Sequence, residues 1–149
     1  MHASTLIRSA ILVSLLASPC AFAASEFGSA KEARAMLKKA VAEVKKDKAA
    51  ALDKFNKGEA GFKDRDLYPF CADLDGNTTA HPTHKGKDLK VLTDKKGKAF
   101  GQEIFKVAKE GKISEVSYMW PKPGQAEPVK KVTYVTRVGD QVCGVGYYK

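Results

Sequence analysis

Cysteine, histidine and tryptophan are scarce in this chain, and acidic residues are well outnumbered by basic ones. Among 149 residues there are 3 Cys, 3 His and 1 Trp, with 17 Asp+Glu against 26 Lys+Arg. No CxxC pair occurs, so the local spacing favoured by redox dithiols and cysteine-rich zinc sites is missing. There is no GxSxG elbow, no phosphate-binding glycine loop and no HExxH, so no enzyme class is signalled and no catalytic residue is assigned. Blocks of five or six like charges are absent, as are internal repeats and low-complexity segments.

The formal net charge of +9 comes mostly from lysine dispersed along the chain. Such a surface keeps a protein soluble and favours anionic ligands or partners. It lacks the aromatic-interleaved arginine pattern of a nucleic-acid reader, so no nucleic-acid partner is expected.

The amino terminus has its own logic. Arg8 precedes the apolar run Ala10–Ala17, then Pro19 and the small-residue site Ala21-Phe22-Ala23. A short apolar run ending in an A-x-A site is a secretory signal peptide, too short for a membrane span. Residues 1–23 are therefore expected to be removed, leaving a single exported domain over 24–149. Cys20 follows Pro19, where a lipoprotein signal wants a small residue, so lipidation is not expected.

Two cysteines, Cys71 and Cys143, survive that cleavage. An even count in an exported chain suggests a disulfide, provided the fold brings the two together. Such a bridge would contribute about 4 kcal/mol on the loop-entropy model.

Ser29-Ala-Lys-Glu32 is a capping box. It opens a helical stripe at Ala33, Leu37, Ala40, Val41, Val44, Ala51, Leu52 and Phe55, about seven turns read as one long helix. Gly58 and Gly61 end it. A strand follows from Leu67, and Asp75-Gly76-Asn77 is a tight turn into a second strand through Thr79 and His81. Asp73, Asp75 and Asn77 mimic a calcium loop, but the glycine comes too early and His84 stands where a bidentate Glu belongs. After a lysine-rich loop, a short helix is expected over Lys98–Glu110, with Phe100, Ile104, Val107 and Ala108 inward and Gly111 as its stop.

The last third is β: Ile113–Trp120, Val129–Val138 and Gln141–Tyr148. Pro121, Pro123 and Pro128 interrupt the first pair, with Gly124 permitting a turn, so the two form a long hairpin. Gly139-Asp140 joins the second pair. Antiparallel strands with helices packed on one side define an α+β fold.

Taken in order, these pieces resemble a single Cache domain of type 2. The resemblance rests on the long helix, Tyr68-Pro-Phe70, Asp75-Gly76-Asn77, His81-Pro82, Gly86-Lys87, Leu92-Thr-Asp94, and Gly97 before the second helix. It continues through Tyr118-Met-Trp120-Pro121, Pro128-Val-Lys-Lys131, Tyr134-Val135 and Gly144-Val-Gly146-Tyr-Tyr148. It implies a PAS-like, five-stranded antiparallel sheet with the long helix behind and a ligand pocket on the other face. It also makes the first and last strands central neighbours, which suits a Cys71–Cys143 bond. Family members commonly act as sensor domains of chemoreceptors and histidine kinases, and many bind small organic acids.

On that basis the expected ligand-binding residues are His81, Lys87, Tyr118, Trp120, Lys131 and Tyr134. Lys131 supplies a point charge to an anion. Tyr118 and Trp120, two apart, share a strand face and offer rings with polar handles. Each of these residues has a purely structural alternative: core packing for the aromatics, a solvated strand position for Lys131, and turn stabilisation for His81. Asp94 either caps a turn or meets a ligand amine. No metal is expected at His81 and His84, which sit on a Pro-containing loop without a third ligand, and no cofactor is expected. The sequence stops at Lys149, just after the last strand, so the expectation is a free-standing periplasmic or secreted module. It would bind a small carboxylate and act through a partner such as a membrane receptor or kinase. The alternative is a structural or protein-interaction module of the same fold without a specific ligand.

Overall fold

Ser29 opens the first helix as its capping box requires. Its hydroxyl accepts from the Glu32 N–H while the Glu32 carboxylate accepts from the Ser29 N–H. The computed structural model describes residues 25–149, so the leader expected over residues 1–23, with cleavage expected near Ala23, lies outside the described residues. The expected single long helix is in fact two, α1 (Ala30–Lys46) and α2 (Lys48–Lys57). Asp47 makes the break. It is extended, at φ −157°, its N–H ends α1 on the Glu43 carbonyl, and its carboxylate caps α2 through the Ala50 N–H. A short carboxylate competes for backbone N–H groups, which favours it at such a junction. Ala33, Leu37, Ala40, Ala51 and Phe55 are nonetheless all buried on one continuous face.

The strands are β1 (Pro69–Asp73), β2 (Thr78–Ala80), β3 (Ser114–Pro121), β4 (Pro128–Val138) and β5 (Gln141–Tyr148). They form one antiparallel sheet in the order β2-β1-β5-β4-β3. β2 ends at Ala80, so His81 stands just past the strand rather than within it. Between β1 and β2, one Asp73 carboxylate oxygen accepts the N–H groups of Asp75, Gly76 and Asn77. That carboxylate is spent on the turn, as the turn reading of this segment requires.

β1 and β5 are neighbours at the sheet centre, and Cys71 stands opposite Cys143, to which it is disulfide-bonded.

The third helix, α3 (Phe100–Val107), is shorter than the expected Lys98–Glu110. Before it, Asp94 ties up the Lys96 and Lys98 N–H groups in a turn. After it, Ala108 is extended and Lys109 pairs with Lys112 around Gly111 at φ 75°, so that glycine makes a tight turn rather than a helix stop.

The helices are not all on one side. α1 and α2 cover one face of the sheet, packing on Cys71, Tyr134, Val138, Cys143 and Val145. α3 and Leu89 lie on the opposite face with Phe70, Val116, Tyr118, Val135 and Val142. Because side chains alternate along each strand, odd positions of β4 and even positions of β5 face this second layer. The layer does not cover the whole sheet, and its uncovered end is where the polar residues gather.

Candidate functional site

Backbone register sets the site. Tyr118 of β3 pairs with Lys131 of β4, and Lys131 pairs with Tyr148 of β5, giving a row of three side chains across the sheet. Beside this row lies a cavity of about 40 Å³. Strands contribute Tyr118, Trp120, Lys131, Phe70 and Gly146, the loops contribute Tyr68, His81, His84, Lys87 and Leu92, and α3 adds Phe100 and Ile104.

Lys131 is the unusual member, being only 4% exposed. Its Nζ donates to the Tyr68 hydroxyl at 3.4 Å and sits 5.1 and 4.9 Å from the Tyr68 and Tyr148 ring centres. Among the described residues no carboxylate comes within ion-pair distance of it. Burial pushes its pKa down to about 8, opposed by the more distant charge of Asp66. Two rings and one hydroxyl only partly replace the hydration of an ammonium, and an anion would complete its surroundings. Gly146 makes room for this lysine: a Cβ there would lie 2.5 Å from Lys131 Cε and 2.7 Å from Thr133 Oγ1.

The aromatic members brace one another. Tyr118 stacks on Phe100 with ring centres 4.0 Å apart and planes 7° from parallel, and Trp120 meets both edge-on. The Tyr118 hydroxyl is engaged with Thr133 Oγ1 at 3.0 Å, and burial pushes its phenol well above the usual range. Tyr118 therefore gives the cavity a ring wall more than a free hydroxyl.

His81 is held by its neighbours. Its Nδ1 accepts from the N–H groups of Thr83 and His84, at 3.0 and 3.1 Å, which places its proton on Nε2. Burial first, then the neighbouring His84, Lys131 and Lys87, lowers its pKa to about 3, so the ring is neutral at physiological pH. Asn56 of α2 fixes the approach, accepting the His81 N–H and donating to the carbonyls of Leu52 and Thr79. A neutral imidazole with one N–H and a buried ammonium are both donors, the complement of a carboxylate.

Five of the six expected residues, His81, Lys87, Tyr118, Trp120 and Lys131, line this one cavity, with Lys87 exposed at its edge. Tyr134 does not. Its even position turns it to the helical face, where it stacks on Tyr147 at 5.6 Å and lies under Arg34. Asp94 is structural: its carboxylate accepts the N–H groups of Met119, Lys98 and Lys96, which hold its pKa below the usual range. Tyr68, Phe70 and Gly146 also line the cavity and Tyr148 lies against Lys131, although none of the four is among the expected binding residues. Period-two alternation from Lys131 through its register partner Tyr148 points to the last two of them. Among the described residues, no group of three or more His, Cys, Asp or Glu side chains is placed to hold a metal ion.

A sheet of this order, with α1 and α2 behind it and a lysine-lined cavity on its other face, is a PAS-like α+β fold. The sequence model of the Cache domain matches residues 29–148, and the chain belongs to that family. A methyl-accepting chemotaxis protein, McpP of Pseudomonas putida, is 35% identical over 75 residues, 48% of this chain but only 14% of that receptor. The chain thus matches a small part of the length of that curated relative.

Solved structures agree over most of the chain. A methyl-accepting chemotaxis protein from Vibrio parahaemolyticus superposes with a TM-score of 0.64 at 26% identity, covering 79% of this chain and 86% of that one. The periplasmic sensor domain of a chemotaxis protein gives 0.60 at 28% identity, covering 79% and 88%. A Cache chemosensory domain described for carboxylic acid recognition gives 0.59 at 26%, covering 79% and 86%. No helix among the described residues is long and apolar enough to cross a membrane.

Proposed function

We propose that this Cache domain binds a small organic acid in the cavity beside Lys131 and reports its presence to a partner protein. The observation that carries this reading is the Lys131 ammonium, buried at the cavity with no carboxylate partner among the described residues. An anion there would supply the missing counter-charge, and His81 Nε2–H would add a second donor. The chemoreceptor domain noted for carboxylic acid recognition supports the same ligand class. The cavity volume, about 40 Å³, is a few times the ~10–15 Å³ that one water needs, which favours ligands of few atoms. The role we read is binding: the buried Lys131 ammonium and the His81 Nε2–H are donors suited to an anion.

The reading includes export, with the leader removed near Ala23 and the domain working outside the cytoplasm, periplasmic or secreted. The Cys71–Cys143 bond suits such a compartment. The partner would be a membrane receptor or kinase.

A ligand that binds only the folded state raises stability by about 2.7 kcal/mol at a hundredfold excess over its dissociation constant. Melting the purified protein against short carboxylates is therefore expected to give a saturable upward shift. A panel of mono- and dicarboxylates that leaves the melting temperature unmoved would sink the proposal. It would favour instead a protein-interaction module with a Cache fold.

A further inference from the structure

Residues 25–28, which lead into α1, are fastened to a tight turn at residues 64–67. Asp64 and Leu67 exchange backbone hydrogen bonds at 3.0 and 2.8 Å, closing that turn on Arg65 and Asp66. Arg65 Nη1 donates to the Ser25 and Phe27 carbonyls, and its Nη2 donates to the Glu32 carboxylate. Asp66 Oδ1 accepts the Gly28 N–H at 2.6 Å. Gly28 lies so close to Leu67 that a Cβ there would collide with the leucine side chain. From the other side, Lys122 of the β3–β4 connection places its Nζ 3.9 Å over the Phe27 ring. The residue after the turn, Tyr68, walls the cavity and accepts from Lys131 Nζ. The start of α1 is thus joined to the cavity through residues 64–68.

This docked arrangement carries two local costs. Arg65 adopts φ 55°, a left-handed conformation that a long side chain enters only when its surroundings hold it there. Asp66 is buried, and its Oδ2 has no hydrogen-bond partner among the described residues.

We propose that residues 25–29 are a strap whose docking on the 64–68 segment reports whether the cavity is filled. In the docked state the turn fixes Tyr68 against Lys131, so a ligand at that lysine binds this state more tightly and shifts the balance toward it. Release lets water reach Asp66 and lets Arg65 relax, which gives the empty protein a second arrangement close in free energy. By reciprocity, whatever undocks the strap must weaken the ligand. The inference rests on reading the cavity as a carboxylate site and adds where its occupancy is felt.

The test follows amide hydrogen exchange by NMR on the purified protein, with and without saturating acetate or propionate. Titration calorimetry on the same samples establishes that the acid is bound. Exchange at the Gly28 amide is expected to slow about fivefold or more on binding. The Ala50 amide, held by Asp47 at the far end of α1, should keep its rate. In Gly28→Ala the methyl group collides with Leu67 and undocks the strap. That variant should fold and bind the acid about fivefold or more weakly, although residue 28 does not line the cavity. If a bound acid leaves exchange at Gly28 unchanged, the inference is overturned while the carboxylate site stands, and that comparison needs no variant. Wild-type affinity in folded Gly28→Ala overturns it equally. If neither acid binds, both readings fall together.

Discussion

Lys131 and Tyr148 stand opposite one another across β4 and β5, with the lysine Nζ 4.9 Å from the tyrosine ring centre. Tyr68 takes the same cation from another side, so the charge is held by π faces and one hydroxyl. Replacing Lys131 with Met keeps most of the stem's volume and removes the charge. Carboxylate affinity is expected to drop about 10- to 100-fold, the loss of a charge-assisted contact. The free protein should be at least as stable as wild type, because a buried charge without an ion-pair partner favours the unfolded state. Calorimetry and a melting curve on the same variant check both halves. A large fall in melting temperature would show that the lysine serves the fold.

The depressed pKa of Lys131, about 8, has a pH signature. The unfolded chain holds this proton up to about 10.4, so between roughly pH 8 and 10 it binds more protons than the native state. Stability of the free protein therefore gains a rising contribution over that window, up to about 3 kcal/mol. Above it the buried phenols of Tyr68, Tyr118 and Tyr148, all raised by burial, turn the trend downward, since the unfolded chain ionises first. Anion binding requires the ammonium, so affinity should run the other way, flat below pH 8 and falling up to about tenfold per unit above it. Titrations from pH 6 to 9.5 measure this, and a flat affinity would dissociate Lys131 from the ligand.

Much of this arrangement was legible in the sequence because alternation and capping are local. Ser29 and Glu32 announced the helix start, and the odd–even pattern placed Tyr118 and Trp120 together. Residues 131 and 134 differ in parity, so the two lie on opposite faces of β4: Lys131 lines the cavity, while Tyr134 packs under the helices with Val138. Asp47 was missed because the apolar stripe continues across it, and a helix break that preserves the buried face leaves no trace in periodicity. The burial of Asp66 was invisible, since its carboxylate accepts from the Gly28 N–H, which lies far away in sequence and reaches it only in the folded chain.

Gly146 offers a steric test of the site. A methyl group there would contact Lys131 Cε and Thr133 Oγ1, both on the neighbouring strand. Overpacking of this kind costs about 1–3 kcal/mol, and the lysine stem is the softer neighbour. Gly146→Ala is expected to fold, to melt lower and to lose carboxylate affinity as the ammonium is displaced. Gly124→Ala, where a Cβ would have open space but φ is +74°, makes the control. It should lower stability modestly through backbone strain and leave affinity alone. Equal affinity losses in the two would remove the case for a specific fit around Lys131.

The disulfide supports the scaffold more than the site. Cys71 and Cys143 pack in the core under α1, whereas their strand neighbours Phe70 and Gly144 lie on the cavity face, where a Cβ on Gly144 would touch the Phe70 ring. The bond closes a sequence separation of 72 residues, worth about 4 kcal/mol of unfolded-state entropy. Reduction, or the Cys71→Ala and Cys143→Ala pair, should lower the melting temperature by roughly 10–15 °C in a domain of this size. At 25 °C, well below the new midpoint, carboxylate affinity should stay near that of the oxidised protein, because no cavity side chain depends on the sulfur atoms. Melting and titration with and without reductant separate these effects. Affinity lost while the protein stays folded would make the bond part of the binding machinery, and an unchanged melting temperature would mean that it contributes little to stability.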